Sequence, residues 1–185
     1  LAYAPSNVQE LVDYTILAFD KADEWRMPAF IMADGMLGQM MEPVEFPEAN
    51  EEVLNRCPKD WATDGRSGER GYRNVITSLE LSTPQLEIND RKRYEKYLKI
   101  MEEEVIVEED GVKDCDLILT SYGSAARIVK TAIQILRDEG YKVGLIRPIS
   151  VWPFPFDSYK KINCKNILVV EMNNGCLLYT SDAAD

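Results

Sequence analysis

The residues with the types needed for chemistry follow two predicted strands, at points where the chain turns. Tyr122-Gly123-Ser124 stands at the predicted start of a helix, where free backbone amides can bind a phosphate. One glycine is far short of a dinucleotide or P-loop fingerprint, so a tight strand-to-helix turn is favoured. Glu171 lies at the carboxyl end of a later predicted strand, and capping of the next turn is favoured over catalysis. Arg127 and Arg147 can attract anions, but such arginines are more often members of surface ion pairs.

Several kinds of site are disfavoured by composition. The chain has no histidine, which removes the commonest general base and the commonest zinc ligand. Its four cysteines are far apart and form no C-x-x-C motif, so we expect reduced structural thiols rather than a cluster or zinc site: Cys57, Cys115, Cys164 and Cys176. No paired carboxylates and no nucleophile with a base are visible. We therefore predict no catalytic, cofactor-binding or metal-binding residue in this chain.

A βαβ unit is predicted to position these residues. An apolar strand over 116–122 leads through Gly123 into a helix that Ser124 caps, and a second strand follows Gly140 at 142–147. The predicted apolar face of the helix recurs at three- and four-residue spacing: Ala125, Ile128, Val129, Ala132, Ile133 and Leu136. A third strand is predicted over 166–171. These features predict an α/β fold with a parallel sheet.

The region before this unit is predicted to hold a helix and a strand. Ser6 and Gln9 match a capping box at the start of the helix, and a buried strand is predicted over 29–33 before the Asp34-Gly35 turn. A methionine-rich loop follows at the carboxyl end of that strand, where ligands bind in open α/β sheets, although packing of a linker is favoured. The candidate interface residues of this loop are Met36, Gln39 and Met40.

The rest of the chain is interpreted as a connector and an exit segment. Residues 46–113 form a long connector with one amphipathic helix over 91–104, and its acidic runs are read as solvated surface. The exit over 147–156 carries three prolines and three aromatic residues, which suits an interface. Its candidate interface residues are Arg147, Trp152 and Phe154.

Charge and hydropathy narrow the cellular context. The net charge of −11 argues against nucleic acid as a partner, and no apolar run is long enough for a membrane span. The first residues carry no signal-peptide pattern, which leads us to expect a cytoplasmic protein. Because the chain does not begin with Met, we expect a fragment of a longer product.

Three stretches together resemble the alpha-type subunit of the 2-oxoacid:ferredoxin oxidoreductases, and most closely the branched-chain (2-oxoisovalerate, or 3-methyl-2-oxobutanoate) type. They are the loop 34–44, the pair 121–124 with 147–155, and the turn 169–175. The resemblance implies that residues 1–45 end a pyrimidine-type thiamine diphosphate-binding domain. It also implies that residues 114–176 form an incomplete transketolase-C-terminal-like domain II.

The resemblance further implies an enzyme complex that oxidatively decarboxylates a 2-oxoacid to acyl-CoA. Thiamine diphosphate with magnesium would lie at the interface with a beta-type subunit, coenzyme A would be the co-substrate, and electrons would pass through iron–sulfur clusters to ferredoxin. A gamma-type subunit and a ferredoxin-like subunit would complete the complex. The family's catalytic glutamate is expected before Leu1, so no catalytic residue is carried over and the fragment alone is expected to be inactive.

The last residues depart from the family pattern, and two alternative functions stay open. Residues 177–185 resemble translated adaptor DNA, and we expect this tail to be non-native. The first alternative is the pyrimidine-side chain of another thiamine enzyme, similar to the beta chain of a 2-oxoacid dehydrogenase. The second is a non-catalytic, flavodoxin-like assembly module. The sequence leaves the identity of the 2-oxoacid and the oligomeric state open.

Overall fold

The computed structural model describes residues 1–48, 59–65 and 67–182, so Cys57 and the last three residues of the predicted tail lie outside the described residues. The chain divides into two units, one formed by Leu1–Pro47 with Met101–Asp185 and one by Glu48–Ile100. In chain order the elements are β1 (Ala2–Tyr3), α1 (Val8–Trp25), β2 (Phe30–Ile31), a 3-10 turn (Leu37–Gln39), α2 (Ser67–Arg70), α3 (Thr83–Glu103), β3 (Val107–Asp110), β4 (Leu117–Thr120), α4 (Ala125–Asp138), β5 (Val143–Pro148), β6 (Ser150–Trp152), α5 (Phe156–Lys160), β7 (Ile167–Val169) and α6 (Cys176–Asp182).

Four strands form the larger sheet, in the order β3-β5-β4-β7. Strand β4 pairs in parallel with β5 and with β7, so the predicted βαβ unit and third strand are confirmed. The sheet is not wholly parallel, because β3 pairs antiparallel with β5. The acidic residues of 108–110 therefore belong to an edge strand. Glu109 and Asp110 are exposed, as predicted, whereas Glu108 is half-buried and pairs with Lys130 and Arg147, so its interpretation as solvated surface was wrong.

A smaller sheet pairs two strands near the amino terminus with the strand that follows β5, in the order β2-β1-β6. Strand β1 pairs in parallel with β2 and antiparallel with β6. The predicted five-residue buried strand over 29–33 was wrong, because β2 has two residues and its Phe30 is 62% exposed. Such short strands give little hydrophobic periodicity, which is why β1 was not predicted.

Two helices show how far the capping predictions hold. Helix α1 begins one residue later than predicted, because Asn7 is its N-cap and accepts the Glu10 amide at 2.8 Å. The Ser6 amide and hydroxyl instead donate to the Glu10 carboxylate at 2.8 and 3.0 Å. Helix α4 buries three of the six residues of its predicted apolar face and half-buries two more, whereas Ile128 is 61% exposed. Gly140 follows α4 with a φ of +93°, as expected of a helix terminator.

The hydrophobic core covers both faces of the larger sheet. Neighbouring residues alternate between the faces, so Ile118 and Ile146 join one cluster while Leu119 and Leu145 join the other. Helix α4 covers the second face. No helix in the described part of the chain is long and apolar enough to cross a membrane.

The unit Glu48–Ile100 is built differently, from α2, most of α3 and an irregular loop. Arg70 pairs with Asp64 at 2.7 Å, and the Asn74 amide donates to the Asp60 and Ala62 carbonyl oxygens at 2.6 and 2.9 Å. The predicted connector helix is present but begins at Thr83, eight residues before the predicted start.

Candidate functional site

A cavity of about 290 Å³ lies where β2, β4 and β7 end, and we call it the carboxyl-edge cleft. Its position agrees with the usual location of ligand sites in open α/β sheets. The cleft is lined by Ile31, Met32, Ala33, Asp34, Tyr122, Gly123, Ala125, Glu171, Met172 and Asn173.

The Asp34 carboxylate lies in the cleft beside the helix N-terminus at Ser124, where the sequence suggested a possible phosphate site. The Ser124 hydroxyl donates to one carboxylate oxygen of Asp34, and the Leu37 amide donates to the other at 2.8 Å. The hydrogen bond from Ser124 and further bonds from backbone amides lower the pKa of Asp34. A phosphate at this helix N-terminus would therefore meet the negatively charged Asp34 carboxylate, which already accepts the Ser124 hydroxyl.

Two predictions about this turn have opposite outcomes. Gly123 has a φ of +61°, a conformation that glycine adopts without strain, so the tight strand-to-helix turn is confirmed. The prediction that the Ser124 side chain caps α4 was wrong, because its hydroxyl donates to Asp34 and makes no bond to a helix amide. Sequence reasoning treated Asp34 only as a turn residue. A carboxylate directly after a strand was the available signal for its role.

Glu171 and Asn173 fix the chain on the opposite side of the cleft. The Glu171 carboxylate accepts the Leu177 amide at 2.8 Å and the Leu178 amide at 3.2 Å, so it caps the following helix as favoured above. The Asn173 amide nitrogen donates to the Tyr122 hydroxyl at 2.6 Å. Burial raises the pKa of Tyr122. These side chains thus have structural partners within the chain.

Arg147 lies at the centre of a buried ion-pair network. Its side chain is 1% exposed, and its guanidinium donates at 2.9 Å to Glu10 on α1 and at 2.9 Å to Glu108 on β3. Lys130 on α4 also pairs with Glu108, at 2.7 Å. Burial by itself opposes ionisation of Arg147, but the two carboxylates raise its pKa. The network therefore connects α1, β3, β5 and α4.

The pKa values of the two carboxylates in this network are lowered, whereas the pKa of Arg147 is raised. Burial favours the neutral form of Glu10, but hydrogen bonds from Arg147 and Ser6 lower its pKa overall. For Glu108, burial is likewise outweighed by Lys130 and Arg147, so its pKa is lowered. Both groups are thus held ionised by their partners.

The methionine-rich loop is anchored to helices α1 and α4 by Glu42, at its carboxyl end. Glu42 accepts the Val8 amide at 3.0 Å and pairs with Arg127 at 2.7 Å. Arg127 also donates to the Met40 sulfur at 3.6 Å. Met36 is 50% exposed and Gln39 is exposed, so these two predicted interface residues face outward while Met40 is half-buried. Their role at an interface stays a prediction.

The proline-aromatic exit lines a groove of about 610 Å³ with residues from 101–105 and 151–158. Trp152 is half-buried in its wall, while Phe154 is 9% exposed and stacks on Tyr159 with ring centroids 5.3 Å apart. Arg147 and Phe154 are therefore buried within this chain. They would not contact a partner directly, but would position the exposed residues of an interface. The predicted interface itself stays a prediction.

A metal site is not apparent in this arrangement. Within the described residues, no group of three or more His, Cys, Asp or Glu side chains is placed to hold a metal ion. The site therefore offers a cleft and an ion-pair network, and we assign no nucleophile or general base to it.

Comparison with protein-family models gives two consecutive matches. Residues 1–109 match the model described as pyruvate flavodoxin/ferredoxin oxidoreductase, thiamine diphosphate-binding. Residues 115–183 match the model described as pyruvate:ferredoxin oxidoreductase core domain II.

Curated relatives agree with these models. The chain is 39% identical over 178 residues to the ketoisovalerate oxidoreductase subunit VorB of Methanothermobacter thermautotrophicus, which covers 95% of this chain and 49% of that protein. It is 37% identical over 198 residues to the 2-oxoglutarate synthase subunit KorA of Methanocaldococcus jannaschii, covering 97% and 54%. The chain therefore spans about half the length of the curated relatives it matches.

A solved structure shares the fold. The 2-oxoglutarate:ferredoxin oxidoreductase from Magnetococcus marinus, with 2-oxoglutarate, coenzyme A and succinyl-CoA bound, matches with a TM-score of 0.78 and 22% identity. The match covers 99% of this chain and 37% of that chain.

Proposed function

The chain belongs to the pyruvate flavodoxin/ferredoxin oxidoreductase family, and we propose that it forms part of the alpha-type subunit of a 2-oxoacid:ferredoxin oxidoreductase. The proposed reaction is oxidative decarboxylation of the 2-oxoacid to acyl-CoA, with electrons passed to ferredoxin. The observation that carries the proposal is the pair of consecutive family matches, over residues 1–109 and 115–183.

We propose a branched-chain 2-oxoacid such as 2-oxoisovalerate as the substrate. The 39% identity to a ketoisovalerate oxidoreductase subunit supports this choice. A 2-oxoglutarate synthase subunit is 37% identical, so 2-oxoglutarate is the competing substrate to test. The two acids differ by a carboxylate, and a pocket that desolvates an alkyl side chain would reject that charge.

The described residues do not fit the cofactor themselves. The Ser124 hydroxyl at the helix N-terminus donates to the Asp34 carboxylate, whose charge opposes a diphosphate there, and no acidic cluster in the described part of the chain suits magnesium. We therefore assign no step of thiamine chemistry to these residues. Thiamine diphosphate with magnesium is proposed to lie at the interface with a beta-type subunit, and iron–sulfur clusters in partner subunits. Coenzyme A is the proposed co-substrate.

The contribution proposed for this chain is positional. The buried Arg147 network connects α1 to the larger sheet, and the bond between Asp34 and Ser124 connects the end of β2 to α4. Together they fix the pyrimidine-type part, proposed as residues 1–45, against domain II, proposed as residues 114–176. The connector is proposed to cover residues 46–113, and residues 177–185 remain the proposed non-native tail.

Partner contacts are proposed on two surfaces of the chain. The exposed side chains of Met36 and Gln39 form one, and the groove beside Trp152 forms the other. The proposed partners are beta-type, gamma-type and ferredoxin-like subunits, with ferredoxin as the electron acceptor and the cytoplasm as the location.

Cofactor recovery from the natural full-length subunit tests this division of roles. The subunit is purified alone and co-expressed with its beta-type partner, and bound thiamine diphosphate is quantified after denaturation. We expect about one thiamine diphosphate per pair of subunits, and less than a tenth of that from the single subunit. Equal recovery from the single subunit would contradict the proposed shared site. A matched pair purified without added thiamine diphosphate provides the control.

A further inference from the structure

Two cysteines lie side by side at the amino-terminal edge of the larger sheet. Cys115 precedes β4 and Cys164 precedes β7, and these strands are parallel neighbours. Their register pairs Ile118 with Ile167, and each cysteine lies three positions before its paired isoleucine. Adjacent strands are about 4.8 Å apart, which lies inside the Cα separation of about 4.4–6.8 Å that a disulfide spans.

Contacts next to the cysteines show that the alignment continues to them. The Ile118 amide donates to the Asn166 carbonyl at 2.9 Å, and the Asn166 side chain donates to the Asp116 carbonyl at 3.2 Å. The Cys164 thiol donates to the same Asn166 carbonyl at 3.3 Å. The Cys115 thiol donates to the Val112 carbonyl at 3.5 Å, and both cysteines pack against the same hydrophobic cluster. Burial first, and then the neighbouring Cys164, raise the pKa of Cys115.

The surroundings leave room for the sulfur atoms and partial access to them. Both cysteines are free, half-buried thiols that pack against the cluster around Ile118. Gly144 on β5 makes this possible, since a Cβ at that position would lie 3.2 Å from the Cys115 sulfur. Cys176, in contrast, is exposed and follows β7 at the other edge of the sheet.

We infer that Cys115 and Cys164 form a site of reversible disulfide formation, oxidised by a low-molecular-weight disulfide. One cysteine thiolate attacks a sulfur of the small disulfide, whose S–S bond breaks and releases one small thiol. The other cysteine then attacks the mixed disulfide, the protein S–S bond forms, and a second small thiol leaves. The two cysteines lose two electrons and two protons, and the two released thiols carry them away.

Peptide mapping of the full chain tests this site. The protein is incubated with oxidised glutathione, free thiols are blocked with N-ethylmaleimide, and unreduced peptides are identified by mass spectrometry. We expect a linked peptide pair that joins Cys115 to Cys164, and its loss after treatment with dithiothreitol. A disulfide between two neighbouring strands closes a long loop, so the melting temperature is expected to rise by roughly 5 °C or more.

Matched variants separate the proposed pair from general thiol oxidation. In Cys164→Ser, Cys115 is expected to stay as an alkylated thiol or a lasting mixed disulfide, and the melting temperature should not rise on oxidation. In Cys176→Ser, the linked pair and the temperature shift should remain. The inference is overturned if native Cys115 and Cys164 are each recovered unlinked, or linked to other cysteines such as Cys57.

Discussion

Replacement of Arg147 by methionine should cost more stability than removal of any exposed ion pair. Methionine retains much of the arginine stem but leaves Glu10 and Glu108 without their shared cation. Removing one partner of a buried pair costs about 3–5 kcal/mol, and the low end applies because both carboxylates are partly solvated. A loss of about 3 kcal/mol lowers the folding equilibrium constant roughly a hundredfold.

Urea unfolding of the full chain, followed by tryptophan fluorescence, measures this effect. The midpoint should fall by roughly 1 M or more at an unchanged slope. Lys142→Met is the matched control, because Lys142 precedes the same strand and its 3.0 Å pair with Asp114 is exposed. That control should change the free energy of unfolding by less than about 1 kcal/mol. Equal effects of Arg147→Met and Lys142→Met would refute the structural role given to the network.

The same variant has a predicted pH dependence. In the native protein the pKa values of Glu10 and Glu108 are lowered, so the unfolded state binds more protons as the pH falls below about 4.5. Their stabilisation is fully present above that pH and is lost as the pH falls through the folded-state pKa values. Without Arg147 the two half-buried carboxylates lose their shared cation and repel each other. The difference in stability between native protein and variant should therefore shrink between pH 6 and pH 3, and a constant difference would contradict this assignment.

Three further substitutions probe the cleft and the core. Ser124→Ala removes the hydroxyl that donates to Asp34 and should lower the free energy of unfolding in urea by about 1–2 kcal/mol. The helix content measured by circular dichroism should stay unchanged, and a loss of helix would indicate that Ser124 caps α4 instead. Gly123→Ala should cost about 1–2 kcal/mol through its φ of +61° alone, since the site is otherwise open, and an unchanged melting curve would contradict this. Tyr159→Phe breaks the buried 2.6 Å bond with Thr120 and should cost about 1–3 kcal/mol, with Tyr141→Phe, an exposed tyrosine, as the control.

The elements that followed from the sequence are those with long, strong periodicity. Helix α4 has apolar residues at helical spacing and a glycine at each end. Strands β4 and β5 are short runs rich in apolar residues on either side of this helix. The local sequence is therefore sufficient to predict all three elements. Strands β1 and β2 have two residues each and form through pairing with distant β6 or with each other, which no local window reveals.

The candidate site was less predictable because its contacts join distant parts of the chain. Asp34 reaches Ser124 across 90 positions, and Arg147 reaches Glu10 across 137. Residue types alone predicted Ser124 as a cap, and Arg147 as a surface ion-pair member and an interface candidate. The ion pair is present but its surface position was wrong, since the guanidinium is 1% exposed and has carboxylate partners inside the fold.

Coenzyme A-dependent reduction of a viologen dye by the complete complex tests the central claim most directly. The full-length subunit is co-purified with its partners, and initial rates are measured with 2-oxoisovalerate, 2-oxoglutarate and pyruvate. The account predicts reduction that requires coenzyme A, with kcat/KM at least tenfold higher for 2-oxoisovalerate than for 2-oxoglutarate. A complete complex with bound thiamine diphosphate and intact clusters that reduces the dye with none of the three acids would contradict it.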